Sequence, residues 1–558
     1  MINRAKNSHK KAQKSQKEEK ARGIYLHPFS AHSAHMCLLC FLCLFVAMFS
    51  VVAHAQSGFR PLTPEEKRGK ALYLRGESAS GKEITALLND LDVPASTLTC
   101  AGCHGARGEG KTEGGVTAGN LVWSNLTKSY GHTHDNGRKH GAFTETSFIR
   151  ALTAGVDPAG NKLAVAMPAY RMPQQDMADL LAYLKRIDTD LDPGVSDDKI
   201  VIGTLLPEKT ALTGLAQSME DVLQAYFAEV NSRGGIFNRK IELRVLNGNA
   251  NTTVANMKQL IDDKGVFAIV SGLTAGAENG VADLSRDREV PFIGPSTLLP
   301  DRASPLNRYI FYLLPGLKEQ ARSLVNFAAK KSELQKAQVA IVSPDAEFSK
   351  EIAASIEDQE KKLGWSSKTA VYYAHDAFKS NELVADLKVK GVDTVFMLGS
   401  ADEAASFFKA AGAMNWNPTV YLLGTLVGRS APELVPVGMK DRVFFAFATV
   451  PSDVSAAGAA EYSSLLQRNK LSSTHAAAQA SAIAAAKILV YALERCGKDL
   501  TREQLITTLE GLYEYDTGLM PKITFGPNRR IGAMGAYVVT IDPDKKLFPA
   551  TVEWIPSE

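Results

Sequence analysis

Two cysteines and a histidine in the segment 100–104 have the types and spacing needed to attach a haem covalently. Cys100 and Cys103 are separated by two residues, and His104 follows directly. Thiols at this spacing can each add across a vinyl group of haem, and the adjacent imidazole then becomes the proximal ligand of the iron. The pattern predicts one covalent haem c, with Cys100 and Cys103 as the thioethers and His104 as an axial ligand.

The same residue types also occur in dithiol redox sites and in zinc sites. A structural zinc site needs a second pair of Cys or His ligands at short spacing, and the sequence contains no such pair. Cys37, Cys40 and Cys43 lie in an apolar segment, and Cys496 is predicted to be a buried thiol near the end of a helix. We therefore expect no structural disulfide, and haem attachment is the favoured interpretation.

Met167 is the predicted second axial ligand of the iron. It stands beside Pro168, shortly before a predicted helix at 174–187. A thioether sulfur favours ferrous iron and raises the reduction potential, which suits electron transfer. Met172 directly precedes Pro173, a residue typical of helix starts, and is interpreted as a packing side chain. Alternative ligands for the iron, or for a second metal, lie in the polar loop 131–141: His132, His134 and His140.

Residues 1–55 have the features of an export signal. A basic stretch precedes an apolar run of 18 residues, Met36–Ala53, and Ala53-His54-Ala55 offers small residues for cleavage. We expect export to the periplasm, with an uncleaved inner-membrane anchor as the alternative because the run is nearly long enough to span a bilayer. The basic stretch accounts for the net charge of +3, so nucleic-acid binding is not expected.

Composition divides the rest of the chain into three sections. Residues 57–187 contain the haem motif and many glycines, and 188–199 form an acidic linker with Pro and Gly but no hydrophobic periodicity. In residues 200–558 predicted strands alternate with amphipathic helices, which indicates parallel sheets covered on both faces, and the length indicates two lobes. A long Ala-rich helix, 475–496, is predicted to be buried. The predicted strands are Ile200–Leu206, Ile241–Leu246, Val266–Ser271, Pro291–Gly294, Val339–Val342, Thr394–Leu398, Val420–Leu423 and Val443–Phe447.

Both large sections resemble known families. Residues 65–187 resemble the class I c-type cytochrome domain, with the segment Gly69-Lys-Ala-Leu-Tyr73, the haem motif and the Met-Pro loop before a final helix. Residues 199–556 resemble type I periplasmic binding proteins of the branched-chain amino-acid and amide receptor group. Segments that carry this likeness include Glu229-Val-Asn-Ser-Arg-Gly-Gly235 and Val290-Pro-Phe-Ile293. The resemblance implies a small all-α cytochrome c domain followed by a two-lobe α/β Venus-flytrap fold.

The second resemblance also implies a ligand cleft, with these counterparts of the receptors' contact residues: Ala275, Ser296, Thr297, Phe348, Ser400 and Thr425. Ser296 and Thr297 keep hydroxyls where the receptors bind the ligand carboxylate. Thr425 stands where amino-acid receptors place an acid, and Phe348 and Ser400 replace two tyrosines. A buried ammonium without an anionic partner is costly. We therefore expect a neutral or carboxylate-bearing small molecule rather than an ordinary α-amino acid.

No hydrolase or transferase motif is present: the sequence has no nucleophile elbow, no P-loop and no His-Glu-x-x-His pair. We predict an exported electron-transfer protein with a solute-binding module and not an enzyme, whose redox partner is a dehydrogenase or another cytochrome. The alternative is the substrate-binding receptor of an ABC-type transporter with an accessory cytochrome domain. A haem enzyme needs an open iron position, and the Met167 loop argues against one.

Overall fold

The computed structural model describes most of the chain from residue 62 onward. The first part of this described chain contains seven short strands and five helices. The described residues are 62–88, 91–134, 136–208, 214–274, 276–301, 305–330, 337–365, 369–374, 377–498, 500–546 and 552–558. The predicted export signal, residues 1–55, lies outside them, and so does Ala275.

The helices of the first part pack around the haem motif. They are α1 (Pro64–Arg75), α2 (Cys100–His104), α3 (Trp123–Leu126), α4 (Glu145–Ala154) and α5 (Gln174–Leu184). Helix α1 begins with a capping box between Thr63 and Glu66 and ends at Gly76 in a left-handed conformation. Gly69 allows α1 to approach α5 closely, because a Cβ there would lie 2.0 Å from the carbonyl oxygen of Asp179. The glycine is therefore required by this helix contact.

The prediction that this region is all-α is wrong. Its strands are β1 (Thr85–Leu88), β2 (Leu91–Pro94), β3 (Lys111–Glu113), β4 (Val116–Ala118), β5 (His132–Thr133), β6 (Lys139–His140) and β7 (Ala169–Arg171). Strand β1 pairs antiparallel with both β2 and β7, while β3–β4 and β5–β6 form two separate hairpins. Strands of two to four residues are too short to show an alternating pattern, which is why the sequence did not indicate them.

The first α/β lobe has one sheet of five parallel strands. These are β8 (Lys199–Pro207), β9 (Lys240–Gly248), β10 (Ala268–Gly272), β11 (Phe292–Ile293) and β12 (Ile310–Phe311), in the spatial order β12-β11-β10-β8-β9. Its helices include α6 (Leu215–Ser232), α7 (Thr253–Asp262) and α8 (Glu278–Asp287). The predicted parallel arrangement is confirmed, although β12 was not predicted.

The second lobe has a sheet of seven strands. These are β13 (Val339–Pro344), β14 (Thr369–Tyr373), β15 (Thr394–Met397), β16 (Thr419–Leu423), β17 (Val443–Phe447), β18 (Gly535–Val539) and β19 (Glu553–Pro556), in the order β14-β13-β15-β16-β17-β18-β19. Strands β18 and β19 are antiparallel to their neighbours, and the other pairs are parallel. Its helices are α9 (Leu317–Ala329), α10 (Glu347–Lys362), α11 (Ser380–Val389), α12 (Ala401–Ala413), α13 (Gly424–Val427) and α14 (Ala431–Leu434).

After β17 the chain returns to the first lobe before it completes the second sheet. The returning helices are α15 (Ala456–Asn469), α16 (Ala476–Cys496) and α17 (Arg502–Glu510). By length and apolarity α16 could cross a membrane, and it is the one such helix among the described residues. It instead contributes Ile483, Leu489 and Leu493 to the core of the first lobe. The predicted burial of this helix is therefore confirmed.

Residues 188–199, the predicted linker, make specific contacts on both sides. The ammonium of Lys70 on α1 lies 2.7 Å from the Asp190 carboxylate. The backbone N–H of Arg502 donates to Asp192 Oδ2 at 2.6 Å. Residues 62–558 form one compact unit, and these charged contacts occur where the haem region meets the first lobe.

Candidate functional site

The cysteines and the histidine of the haem motif line one pocket in the first part of the chain. The pocket has a volume of about 230 Å³ and is also lined by Met167. Most of its wall is apolar and includes Leu98, Leu126, Phe148, Leu180 and Leu184. The pocket therefore combines two thiols, an imidazole and a thioether with a largely hydrophobic surface.

Helix α2 holds His104 in a fixed orientation. The Thr99 hydroxyl caps α2 by accepting from the Gly102 N–H at 3.2 Å. His104 is 8% exposed, and its Nδ1 donates to the carbonyl oxygen of Gly119 at 2.6 Å. Burial lowers the pKa of His104, so the imidazole is neutral at pH 7 with the free lone pair on Nε2. Such a bond to the second ring nitrogen is typical of metal-ligating histidines.

Two tyrosines attach the surrounding elements to this helix. Tyr73 on α1 donates its hydroxyl to the carbonyl oxygen of Gly105 at 2.7 Å. Tyr170 on β7 donates to the carbonyl oxygen of Leu98 at 2.6 Å. Since Met167 lies three residues before Tyr170, the second bond fixes the methionine loop relative to the haem motif.

The three histidines of the polar loop also line the pocket. His132 and His140 are cross-strand partners in the β5–β6 hairpin. His140 Nδ1 donates to the Gly141 carbonyl at 2.8 Å, so its Nε2 accepts from His134 Nε2 at 2.9 Å. Burial, followed by the positive charge of Arg138, lowers the pKa of His134. The histidines thus form a hydrogen-bonded cluster in the wall of the pocket.

A buried carboxylate supports the same loop. Asp157 is fully buried and accepts a hydrogen bond from Arg138 at 2.8 Å. It also accepts bonds from the backbone N–H groups of Ala159 and Asn161. Burial alone would raise the pKa of Asp157, but these bonds and that from the Asn161 side chain lower it. Sequence reasoning missed this pair because its partners are 19 residues apart.

The residues of the pocket fit a covalently attached haem. Cys100 and Cys103 are free thiols that line the same apolar cavity as the oriented imidazole of His104. Burial raises the pKa of Cys100 to about 12, so this thiol is protonated at neutral pH before any reaction. Met172, the competing methionine, packs against the surrounding core and is not among the lining residues.

A second cavity, of about 310 Å³, lies between the two α/β lobes. The first lobe contributes Ser296 and Thr297, and the second contributes Gln320 and Thr425. The structure thus brings together three of the predicted cleft residues. Among the described residues that line this cavity, none is charged.

Phe348 and Ser400 do not line this cavity. Phe348 is 40% exposed in the first turn of α10. Ser400 is the N-cap of α12, where its hydroxyl donates to Glu403 Oε2 at 2.9 Å. Both residues therefore lie at helix starts of the second lobe, and their contact with a ligand stays a prediction.

Hydrogen bonds within the protein already occupy part of the predicted carboxylate site. The Ser296 N–H donates to the Gly272 carbonyl at 2.7 Å, and the Thr297 hydroxyl donates to Glu278 Oε1 at 2.6 Å. Gln320, which sequence reasoning missed, is 2% exposed and its Oε1 accepts from the Thr425 hydroxyl at 2.9 Å. Its position in an amphipathic helix gives no separate sequence signal.

Comparisons with known proteins agree with this division of the chain. The family model for periplasmic binding proteins matches residues 199–546, and that for cytochrome c matches residues 81–188. A Leu/Ile/Val-binding protein homolog 8 of Brucella abortus is 21% identical over 235 residues, which is 40% of this chain and 58% of that protein. The match therefore spans less than two thirds of the relative.

Two solved structures share the fold of the α/β lobes. A branched-chain amino acid ABC transporter periplasmic ligand-binding protein from Burkholderia xenovorans LB400 superposes with a TM-score of 0.53 at 14% identity, covering 64% of this chain and 96% of that chain. A branched-chain amino acid ABC transporter protein from Thermus thermophilus, with bound valine, gives 0.50 at 17% identity, covering 64% and 97%. The chain belongs to the periplasmic binding protein family and carries in addition a cytochrome c domain, which implies covalently bound haem.

Proposed function

We propose that the protein is an exported c-type haem electron carrier whose solute-binding module serves a periplasmic respiratory or dehydrogenase system. The observation that supports this most directly is the presence of Cys100, Cys103, His104 and Met167 around one pocket. An iron with two protein ligands has no free position for substrate, which suits electron transfer rather than catalysis. The partner would be a dehydrogenase or another cytochrome.

Four residues would hold the haem. Cys100 and Cys103 would form the thioethers, His104 would bind the iron through Nε2, and Met167 through its sulfur. The sequence contains one Cys-x-x-Cys-His motif, which supports a single haem. When bound, the haem supplies a centre that gains and loses one electron, and a thioether ligand raises its potential.

The chain's own contacts favour Met167 over His140 as the second axial ligand. His134 and His140 share a hydrogen bond through their Nε2 atoms, and His132 Nε2 donates to the Asn125 carbonyl at 2.9 Å. The Met167 sulfur has no hydrogen bond within the described part of the chain. Both ring nitrogens of His140 are thus occupied, so His140 would have to break a hydrogen bond to bind the iron, whereas Met167 would not. His132 and His134 could bind only through Nδ1.

Replacing Met167 by Ala tests the ligand set and the proposed function together. In the haem-loaded protein, the weak sulfur-to-iron charge-transfer band should disappear and the reduction potential should fall. Met172→Ala is the matched control, since Met172 packs outside the pocket and should leave both signals unchanged. An unchanged spectrum in Met167→Ala would assign the second ligand to another residue.

Electron exchange provides the second test. A carrier with two protein ligands should exchange electrons rapidly with another c-type cytochrome and should show no spectral change with small iron ligands such as azide. Rapid azide binding by the unaltered protein would instead indicate an open iron position, and the electron-carrier proposal would be wrong.

The alternative function is the solute receptor of an ABC-type transporter with an accessory cytochrome. The family membership and the interlobe cavity support this candidate. A receptor should be stabilised by its solute, by about 2.7 kcal/mol at about 100 times Kd. If transport of that solute by whole cells is lost in a deletion strain and restored by a Met167→Ala variant, the receptor function is favoured, because electron transfer would then be dispensable.

A further inference from the structure

The interlobe cavity has a polar anchor that the sequence did not indicate. Gln320 lies on α9, at the start of the second lobe, and its carboxamide borders the cavity. Gln320 Oε1 accepts a hydrogen bond from the Thr425 hydroxyl, whereas Gln320 Nε2 has no hydrogen-bond partner among the described residues. This Nε2–H group can therefore donate a hydrogen bond to an acceptor placed in the cavity.

The remaining polar groups of the cavity wall are neutral. The other side chains that can form hydrogen bonds are the hydroxyls of Ser296, Thr297, Thr425 and Ser481. The nearby Glu278 carboxylate already accepts from the Thr297 hydroxyl and from the Gly276 N–H at 2.8 Å. No described lining residue therefore supplies a counter-charge for a charged ligand, and burying an unpaired charge is costly.

Several backbone N–H groups of the cavity wall are occupied by contacts within the protein. Those of Ser296 and Leu317 donate to the carbonyls of Gly272 and Leu298. Apolar side chains, including Leu273, Leu298, Leu313 and Leu314, cover most of the remaining wall.

We propose that the interlobe cavity binds an uncharged, largely apolar organic molecule whose hydrogen-bond acceptor receives the Nε2–H of Gln320. This inference rests on the solute-binding half of the proposed function and names the ligand class of that module. The donor lies on the second lobe, and Ser296 and Thr297 of the first lobe line the same cavity, so such a ligand would bridge the two lobes.

Four compounds with closely related branched carbon skeletons test this inference by their charge. They are isocaproamide, which is neutral, isocaproate, isohexylamine and L-leucine. Calorimetric titration of the haem-loaded full-length protein should show isocaproamide binding at least tenfold more tightly than each of the other three. Tighter binding of leucine or isocaproate would overturn the proposal, and so would the absence of binding by all four.

Variants of Gln320 test the anchor itself. Gln320→Leu should weaken isocaproamide binding at least tenfold, while Gln320→Glu should reverse the preference towards isohexylamine by adding a negative charge. Gln224→Leu, which changes an exposed glutamine on α6, is the control and should leave binding unchanged. Unchanged affinity in a folded Gln320→Leu variant would refute the role of Nε2. Should that variant fail to fold, the charge preference of Gln320→Glu decides the question.

The haem signals distinguish this inference from the proposed function. The covalent haem and its sulfur-to-iron band are measured on the same samples as the titrations. Loss of the predicted ligand preference with intact haem signals would disprove only the neutral-ligand inference. A protein that binds isocaproamide but holds no covalent haem would disprove the electron-carrier proposal and leave the neutral-ligand inference standing.

Discussion

The haem pocket and the interlobe cavity of this protein are built in opposite ways. The haem pocket is lined by side chains with strong individual chemistry, including two thiols, four imidazoles and the Arg138 guanidinium. The interlobe cavity is lined by hydroxyls, one carboxamide and apolar groups, with no charge among its described lining residues. The first pocket can hold a reactive metal centre, whereas the second can only select a ligand by shape and a few hydrogen bonds.

This difference decides how far each site can be inferred from the sequence. The haem motif occupies five consecutive residues, so its chemistry is visible without knowledge of the fold. The residues of the cavity come from strand ends and helix starts that are far apart in the chain, such as Ser296 and Thr425. Hydroxyl and amide side chains are common, so such a set has no distinctive sequence pattern.

Removing both motif cysteines should have the largest effect, and this effect should be confined to the haem pocket. In a Cys100→Ala/Cys103→Ala double variant no thioether can form, and we expect no covalent haem after denaturation in the pyridine haemochrome assay. Ligand binding in the interlobe cavity should persist, because none of its lining residues changes. Cys496→Ala should retain the full haem content. Covalent haem in the double variant would show that the attachment site is elsewhere.

The fold of the two lobes was largely predictable, because long apolar strands alternate with amphipathic helices. The predicted strand Ile200–Leu206 lies within β8, and Val420–Leu423 lies within β16. Strands β18 and β19 were missed because they follow the long excursion of the chain back to the first lobe. The short strands of the haem region were missed because they are too short to show an alternating hydrophobic pattern.

Contacts between distant residues account for most of what the sequence did not indicate. In the sequence, Arg138 and Asp157 look like ordinary surface charges in two polar segments. The fold nevertheless buries the Asp157 carboxylate completely. Gln320 likewise reads as one polar position of a helix. Burial and pairing depend on the tertiary arrangement, and neither follows from the type of a single residue.

Replacing Arg502 tests the stability of the first lobe, which holds the Ser296 side of the interlobe cavity. Its guanidinium donates to the carbonyls of Phe267 at 2.9 Å and Val266 at 2.8 Å, in a buried position of the first lobe. Arg502→Met would leave these two buried carbonyls unpaired, and at about 1–3 kcal/mol for each we expect a loss of about 2–6 kcal/mol in the free energy of unfolding. The measurement is urea denaturation followed by haem absorbance and by circular dichroism. Arg286→Met, at an exposed ion pair, should cost less than about 1 kcal/mol, and equal losses would contradict the argument.

Asp157 offers a test confined to the haem pocket. Because the folded protein lowers the pKa of Asp157, its ionised form contributes stability above the unfolded pKa of about 4. That contribution is lost as the pH falls through the folded pKa. Asp157→Asn should therefore cost about 3 kcal/mol at pH 7, with a difference from the unaltered protein that shrinks below about pH 4. Denaturation followed by haem absorbance across this pH range is the measurement, and a pH-independent difference would exclude an ionic role.

The smallest expected effect is a difference in stability between variants of two ion pairs in the haem region, one partly buried and one exposed. Arg68 on α1 donates two hydrogen bonds to the buried Asp179 on α5, at 2.7 and 2.9 Å. Arg171 pairs with Asp92 on the surface, where both side chains are exposed. We expect Arg68→Met to lower the free energy of unfolding more than Arg171→Met, whose exposed pair should contribute less than about 1 kcal/mol.

High salt sharpens this last comparison, because screening weakens exposed pairs more than buried ones. In denaturation followed by haem absorbance, the cost of Arg171→Met should vanish in about 1 M salt, where the screening length is about 3 Å. The cost of Arg68→Met should largely remain, since its hydrogen bonds lie against the α1–α5 contact that Gly69 permits. Equal salt sensitivity of the two variants would mean that the Arg68–Asp179 pair is as hydrated as the surface pair.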